Sequence, residues 1–190
     1  MPSQTEEETM RKIVAWLISS LDGVVESPER WSSPYMNDEV NAEIGAGMAP
    51  TGSVLLGRRT YQEMADYWPH QDGNPFADYL NNSPKYVVSA TLDTLEWANS
   101  HLVTGDLAEE MARLKQQPGE DLLVLGSPTL VRSLLRDQLL DVLTLNICPI
   151  VLGSGLRLFD GSTDQVRLEL VEATTYSTGV LRAGYQPARG

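Results

Sequence analysis

Two stretches of the chain share one grammar, an apolar run, a glycine and then a helix-like segment: Leu55-Leu56-Gly57-Arg58-Arg59-Thr60-Tyr61 and Val124-Leu125-Gly126-Ser127-Pro128-Thr129-Leu130. A helix N-terminus carries unpaired N–H groups and partial positive charge, and a glycine there lets an anion approach the backbone. Arg58, Arg59 and Thr60 add side chains suited to phosphate at the first stretch, as Ser127 and Thr129 do at the second. Two such sites in one chain suit a dinucleotide, which carries a pyrophosphate and often a further ribose phosphate. The competing reading is that Gly57 and Gly126 are ordinary strand-to-helix turns and Ser127 only an N-cap. The G-x-G-x-x-G fingerprint and the phosphate loop ending in Gly-Lys-Ser/Thr are both absent, so a dinucleotide site here is of another type.

The other candidates are weaker. His70 stands in a polar loop and His101 is alone before a strand, so no metal-ligand spacing appears and no metal site is expected. Cys148 is the one cysteine, at an apolar strand end, which suits packing and excludes an internal disulfide. Gly153-Ser154-Gly155 is not a nucleophile elbow. Trp31, Tyr35 and Trp68 fall in or near loops, where aromatic faces line small-molecule pockets or pack beneath a long loop. Trp16 reads as sheet core.

The elements that must carry these residues alternate strand and helix. Strands are expected over 11–20, 53–56, 85–89, 102–103, 121–125 and 142–147, with helices over 37–48, 58–67, 106–117 and from 128 to about 136. Residues 167–176 and 180–186 read as a hairpin around Ser177-Thr178-Gly179. The pattern argues an α/β fold with a mixed sheet and helices on both faces. Residues 1–9 read as a solvated tail and 10–187 as one domain. A net charge of −12 argues against nucleic acid, since phosphate binding needs a basic face. There is no apolar run of about 18 residues to span a membrane, and no secretory leader pattern, so a cytoplasmic protein is expected.

Gly57-Arg58-Arg59-Thr60-Tyr61 resembles the Gly-Arg-x-Thr-aromatic motif of dihydrofolate reductases. Ile18-Ser19-Ser20-Leu21-Asp22-Gly23 and Pro149-Ile150-Val151-Leu152-Gly153-Ser154-Gly155 are similar to segments of the reductase domain of the riboflavin-biosynthesis deaminase–reductase. These motifs keep their family order from residue 11 to about 185. The resemblance implies a three-layer α/β/α dihydrofolate reductase-like fold with a mixed, mostly parallel sheet, and an NADPH site. It places Arg58, Arg59 and Thr60 on the cofactor's phosphates, Ser89, Ala90 and Thr91 beside the 2′-phosphate and adenosine, and Gly126, Ser127, Thr129 and Leu130 under the pyrophosphate. Backbone groups of Leu17, Ile18 and Val25 match those that hold the nicotinamide amide. A small heterocyclic acceptor, pteridine or ribosylamino-pyrimidine, and a homodimer are also implied.

Trp31-Ser32-Ser33-Pro34 resembles the Trp-x-x-Pro loop of dihydrofolate reductases. Two residues past that proline the family places an acid, and here Met36 stands there. Methionine relays no proton, which argues against dihydrofolate reduction itself. Asp38 is the candidate to take over, with Glu39 beside it, although Asp38 equally suits a first-turn carboxylate on the helix dipole. A same-fold reductase for another small molecule and a non-catalytic NADP-binding module remain as alternatives.

Overall fold

The structure, a computed structural model, describes residues 10–161 and 165–188. Residues 1–9, expected as a solvated tail, lie outside the described residues. The chain runs β1 (Ile13–Ser20), α1 (Asp38–Met48), β2 (Thr51–Gly57), α2 (Arg58–Tyr67), α3 (Pro75–Asn82), β3 (Lys85–Val88), β4 (Ser100–Val103), α4 (Leu107–Gln116), β5 (Asp121–Gly126), α5 (Pro128–Arg136), β6 (Val142–Cys148), β7 (Leu168–Thr175) and β8 (Leu181–Pro187). Three 3-10 turns join them at Pro28–Arg30, Ser33–Tyr35 and Trp68–His70. The strands form one sheet in the order β4-β3-β2-β5-β1-β6-β8-β7. All pairings are parallel except β6–β8 and β8–β7. This is the dihydrofolate reductase-like arrangement, with its antiparallel C-terminal hairpin.

Side-chain alternation puts helices on both faces. Ile13, Ala15 and Leu17 of β1 point to the side covered by α4 and α5, through Met111, Leu114, Val131 and Leu134. Trp16, next along, packs on Met48 of α1. Likewise Leu55 of β2 faces α4 and α5, while Val54 and Leu56 face Tyr61 of α2 and Leu80 of α3. Strands buried on both faces read as continuous apolar runs, which is why β1, β2 and β5 are legible from sequence.

Four helices start on a side chain that caps them: Asn37 for α1, Asn74 for α3, Asp106 for α4 and Ser127 for α5. Gly47, in the last turn of α1, has a packing reason. A Cβ there would run into the Trp16 ring, so the glycine lets α1 close on the sheet. Sequence reading missed α3. Its Asn74-Pro75 start and its Phe76, Ala77, Tyr79 and Leu80 sit in a short, polar-flanked stretch, and tertiary packing of Ala77 and Leu80 supplies most of the stability of so short a helix.

Lys85 is fully buried at the start of β3. Its Nζ donates to Leu80 O (2.7 Å) and Ser83 O (2.9 Å), at the end of α3, and lies 4.5 Å from the Trp97 ring centroid. Burial pushes its pKa down to about 8 from 10.5. The folded state therefore holds this proton less tightly than the unfolded chain. The resulting cost, on the order of 3 kcal/mol, is present below about pH 8 and is relieved as pH rises toward the unfolded value. Urea midpoints taken at about pH 7 and about pH 9.5 should rise with pH more for the native chain than for Lys85→Met. Equal slopes for the two proteins would contradict this.

Candidate functional site

Strands β2 and β5 are neighbours, with Leu56 opposite Gly126. The helix leaving β2 covers one face of the sheet and the helix leaving β5 covers the other. That reversal makes the β2/β5 boundary a topological switch point, and ligands of open α/β sheets bind outside the strand ends there. The two glycine–helix junctions are also in contact. A Cβ on Gly57 would collide with Ser127 Oγ, and one on Gly126 would stand 2.8 Å from Thr60 Oγ1. Gly126 has φ +137°, a region open in practice only to glycine, and the Gly126–Ser127 peptide bond is cis.

The two helix starts differ electrostatically from the other three. The first turns of α1, α3 and α4 each hold a carboxylate, whereas those of α2 and α5 hold none. In addition, α2 has no side-chain cap at Gly57, so its first N–H groups have no capping partner. Ser127 Oγ does accept from Leu130 N at 3.4 Å, so the N-cap reading holds for that residue. A glycine-walled junction of two helix N-termini with no acidic residue in either first turn suits a phosphate group.

The arginines divide. Arg58 is exposed and has no hydrogen-bond or ion-pair partner among the described residues. Arg59 is held by Glu26 (3.1 Å) and Glu63 (3.1 Å). Exposed pairs of this kind are weak and exchange readily for a stronger anion. Ser89 is buried at the end of β3, and its Oγ accepts from Thr91 N and Leu92 N, each at 3.1 Å, which fixes the turn carrying exposed Ala90 and Thr91.

The middle of the crevice lies along β1. Its ladder to β5 ends at Ala15 opposite Val124, but its ladder to β6 runs on to Ser20 opposite Cys148. Beyond Ala15, the β5-facing edge of β1, where Leu17 and Ile18 lie, has no strand partner. The N–H of Val25 donates to Leu156 O (2.9 Å), so any ligand contact by Val25 falls to its carbonyl oxygen.

Asp22 holds this loop together, a role sequence reading did not assign. Its carboxylate accepts from Leu152 N (3.0 Å), Ser20 Oγ (2.7 Å), Gly153 N (2.9 Å) and Arg157 (3.2 Å). These bonds, led by the Leu152 N–H, hold its pKa well below the usual carboxylate range. Glu26, also missed, links Arg59 to Leu156 N (3.2 Å). Asp22-Gly23 gave only a turn signal, and Glu26 gave none, because their partners lie some 130 residues along the chain.

Trp31, Tyr35 and Met36 gather in one apolar cluster with Ile18, Val40 and Cys148. Trp31 Nε1 donates to Glu26 O (2.9 Å). Trp68 is elsewhere, edge-on to Phe76 (4.8 Å between centroids) in the corner between α2 and α3. Asp38 is exposed on the first turn of α1. Glu39 is engaged by the β7–β8 turn, accepting from Ser177 Oγ (2.6 Å) and Ser177 N (3.1 Å), and its pKa is lowered by these bonds. Cys148 is buried, and that burial pushes its thiol up to about 11. Among the described residues no group of three or more His, Cys, Asp or Glu could hold a metal ion, and no helix is long and apolar enough to cross a membrane.

The family model of the RibD C-terminal domain matches residues 11–182. The chain belongs to this family. As a RibD C-terminal-type chain it is similar in sequence to the uncharacterized protein YyaP of Bacillus subtilis, with 24% identity over 95% of this chain and 97% of that one. Among solved structures, a putative riboflavin biosynthesis protein from Shewanella sp. PV-4 superposes with a TM-score of 0.78 at 20% identity, covering 94% of this chain and 99% of the other. Dihydrofolate reductase from Enterococcus faecalis, solved with NADP(H), gives a TM-score of 0.62 at 15% identity over 94% of this chain and 97% of its own. The fold shared with these two is that of RibD-type and dihydrofolate reductase-type proteins.

Proposed function

We propose that residues 10–187 form an NADPH-dependent reductase that delivers hydride to a small heterocyclic acceptor of the pteridine or pyrimidine type. The observation that carries this reading is the junction of two helix N-termini at the β2/β5 switch point, with no carboxylate in the first turn of either helix, no side-chain cap on α2, and Arg58 beside it without a partner among the described residues. The glycines support it: a Cβ at Gly57 would run into Ser127 Oγ and one at Gly126 would stand 2.8 Å from Thr60 Oγ1, so only glycine lets the two helix starts meet this closely. Family membership and the NADP(H) complex of a protein with the same fold support the choice of cofactor.

When bound, NADPH supplies the hydride. The chain's own residues bind and orient. Thr60 and the first N–H groups of α2 and α5 would hold the pyrophosphate. Arg58, with the turn at Ser89, Ala90 and Thr91, would hold the 2′-phosphate. The open edge of β1 at Leu17 and Ile18, with the Val25 carbonyl, would align the nicotinamide amide, and Asp22 keeps that loop in place. Trp31, Tyr35 and Met36 give a flat ring an apolar wall that excludes water. NADPH oxidation followed at 340 nm against a panel of pterin, pyrimidine, imine and carbonyl compounds tests this. NADPH binding with no consumption by any of them would favour a second reading, a non-catalytic NADP-binding module. One arrangement favours that reading: Met36 replaces the acid, Asp38 is exposed, and Glu39 is committed to Ser177.

A homodimer belongs to the same proposal. β7 is an edge strand, and Leu170 and Val171 on it are more than half exposed. Two exposed apolar side chains on an unpaired strand suit contact with a second copy. Light scattering at micromolar concentration should give a dimer mass, lowered to the monomer by Val171→Lys. A monomeric native chain would remove this part of the proposal.

A further inference from the structure

Glu26 joins three parts of the molecule. Its Oε1 meets Arg59 at 3.1 Å, its Oε2 accepts from Leu156 N (3.2 Å), and its carbonyl oxygen accepts from Trp31 Nε1 (2.9 Å). The Leu156 side is firmly held. Val25 N donates to Leu156 O (2.9 Å) and Leu158 N to Gly23 O (2.9 Å), so residues 23–26 run beside 156–158, with an antiparallel bridge between Val24 and Arg157. Gly155, at φ +118°, packs against this segment, and a Cβ there would stand 3.6 Å from Glu26 Oε2. The Arg59 side is open to solvent: the Glu26 side chain is 38% exposed and that of Arg59 62%. The pair also spans a gap. Glu26 follows β1, Arg59 stands in the first turn of the helix that leaves β2, and β5 lies between those two strands in the sheet. Glu26 and Arg59 therefore connect the segments on either side of the end of β5, at Gly126.

The same gap is where the pyrophosphate is proposed to lie, so the inference rests on the reductase reading for the identity of the ligand. We propose that Glu26 sets the affinity of the cofactor site, its carboxylate competing with the cofactor's phosphates for Arg59. The two carboxylate oxygens play unequal parts. The bond from Leu156 N stays when Arg59 leaves, and the freed Oε1 turns to water. The exchange therefore breaks one exposed ion pair, which a doubly charged pyrophosphate displaces. Arg58, without a partner among the described residues, faces no such competitor. A reductase must release its oxidised cofactor in every turnover, and release limits many such enzymes. A carboxylate that takes back one of two arginines keeps the dinucleotide exchangeable and leaves the glycine junction that places it intact. A pair that only braces the fold makes the opposite prediction, since its removal would weaken cofactor binding or leave it unchanged.

The test is calorimetric titration of NADP⁺ into the native chain, Glu26→Gln, Arg59→Ala and the double variant. Glutamine keeps the length of the side chain and an oxygen for Leu156 N, and it can turn an NH₂ group toward Arg59 in place of the carboxylate oxygen. Glu26→Gln should bind NADP⁺ about two- to fivefold more tightly than the native chain, the worth of one exposed ion pair. In the Arg59→Ala background the same substitution should bring no gain, because the group competed for is gone, and the double-mutant cycle reads that coupling. Should Glu26→Gln fail to fold, Glu26→Ala is read for the same gain. Unchanged or weaker binding on loss of the carboxylate would overturn the proposal. So would a gain that persists without Arg59, which would make Glu26 a repelling charge and not a competitor. If none of the four binds NADP⁺, the reductase reading falls, and the four are titrated with inorganic pyrophosphate. Tighter pyrophosphate binding by Glu26→Gln only where Arg59 is present would uphold the competition, and no pyrophosphate binding would overturn it.

Discussion

Gly126→Ala should lower NADPH affinity on the order of 100-fold and destabilise the fold by about 1–3 kcal/mol, the range for a residue forced into backbone space it disfavours. Two independent causes act together. At φ +137° an L side chain is strained whatever the space around it. The added methyl would also stand 2.8 Å from Thr60 Oγ1, so Thr60 must leave the place proposed for it on the pyrophosphate. Removing Thr60's side chain should relieve the second cause and not the first. Gly126→Ala combined with Thr60→Ala should therefore recover part of the stability but none of the affinity, a coupling that a double-mutant cycle isolates. Thermal melts and fluorescence titrations on the four proteins read both quantities. Unchanged NADPH binding in Gly126→Ala would mean that the close backbone approach serves packing alone.

Arg58→Ala is expected to weaken NADPH by about 10- to 100-fold, the size of a lost charge-assisted hydrogen bond, and to leave NADH nearly unaffected. The two cofactors differ only in the 2′-phosphate, and Arg58 is the arginine beside the crevice that has no partner among the described residues. Arg59→Ala should cost less, because binding by Arg59 first requires release of Glu26 and Glu63. Equal weakening of NADPH and NADH in Arg58→Ala would place that side chain on the pyrophosphate, and no effect on either would remove it from the site.

Most of what positions this site is legible in the sequence for a physical reason. β1, β2 and β5 are buried on both faces, so each leaves an apolar run, and Gly57 and Gly126 end two of them. Asn37, Asp106 and Ser127 mark helix starts because their side chains cap them, as the structure shows. Features made by distant pairing leave no local trace. Asp22 and Glu26 gain their partners at 152–157 only once β1 and β6 lie side by side. Trp68 and Trp31 look alike in sequence, each an aromatic beside a proline-containing loop. Only the fold separates them, one into the α2–α3 corner and the other beside Ile18 and Met36. Asn146 is the extreme case. One asparagine in an apolar strand is unremarkable until its neighbours are known, and only the fold shows that its buried amide has no partner among the described residues.

The most direct test of the cofactor site is a fluorescence titration of the purified protein with NADPH and, separately, with NADH. Saturable binding with a strong preference for NADPH is the expected result, since the proposal gives the helix junction what the two cofactors share and Arg58 what they do not. Failure of both to bind would contradict the reading, and would reduce the paired glycine–helix junctions to turns that hold the sheet and its helices together.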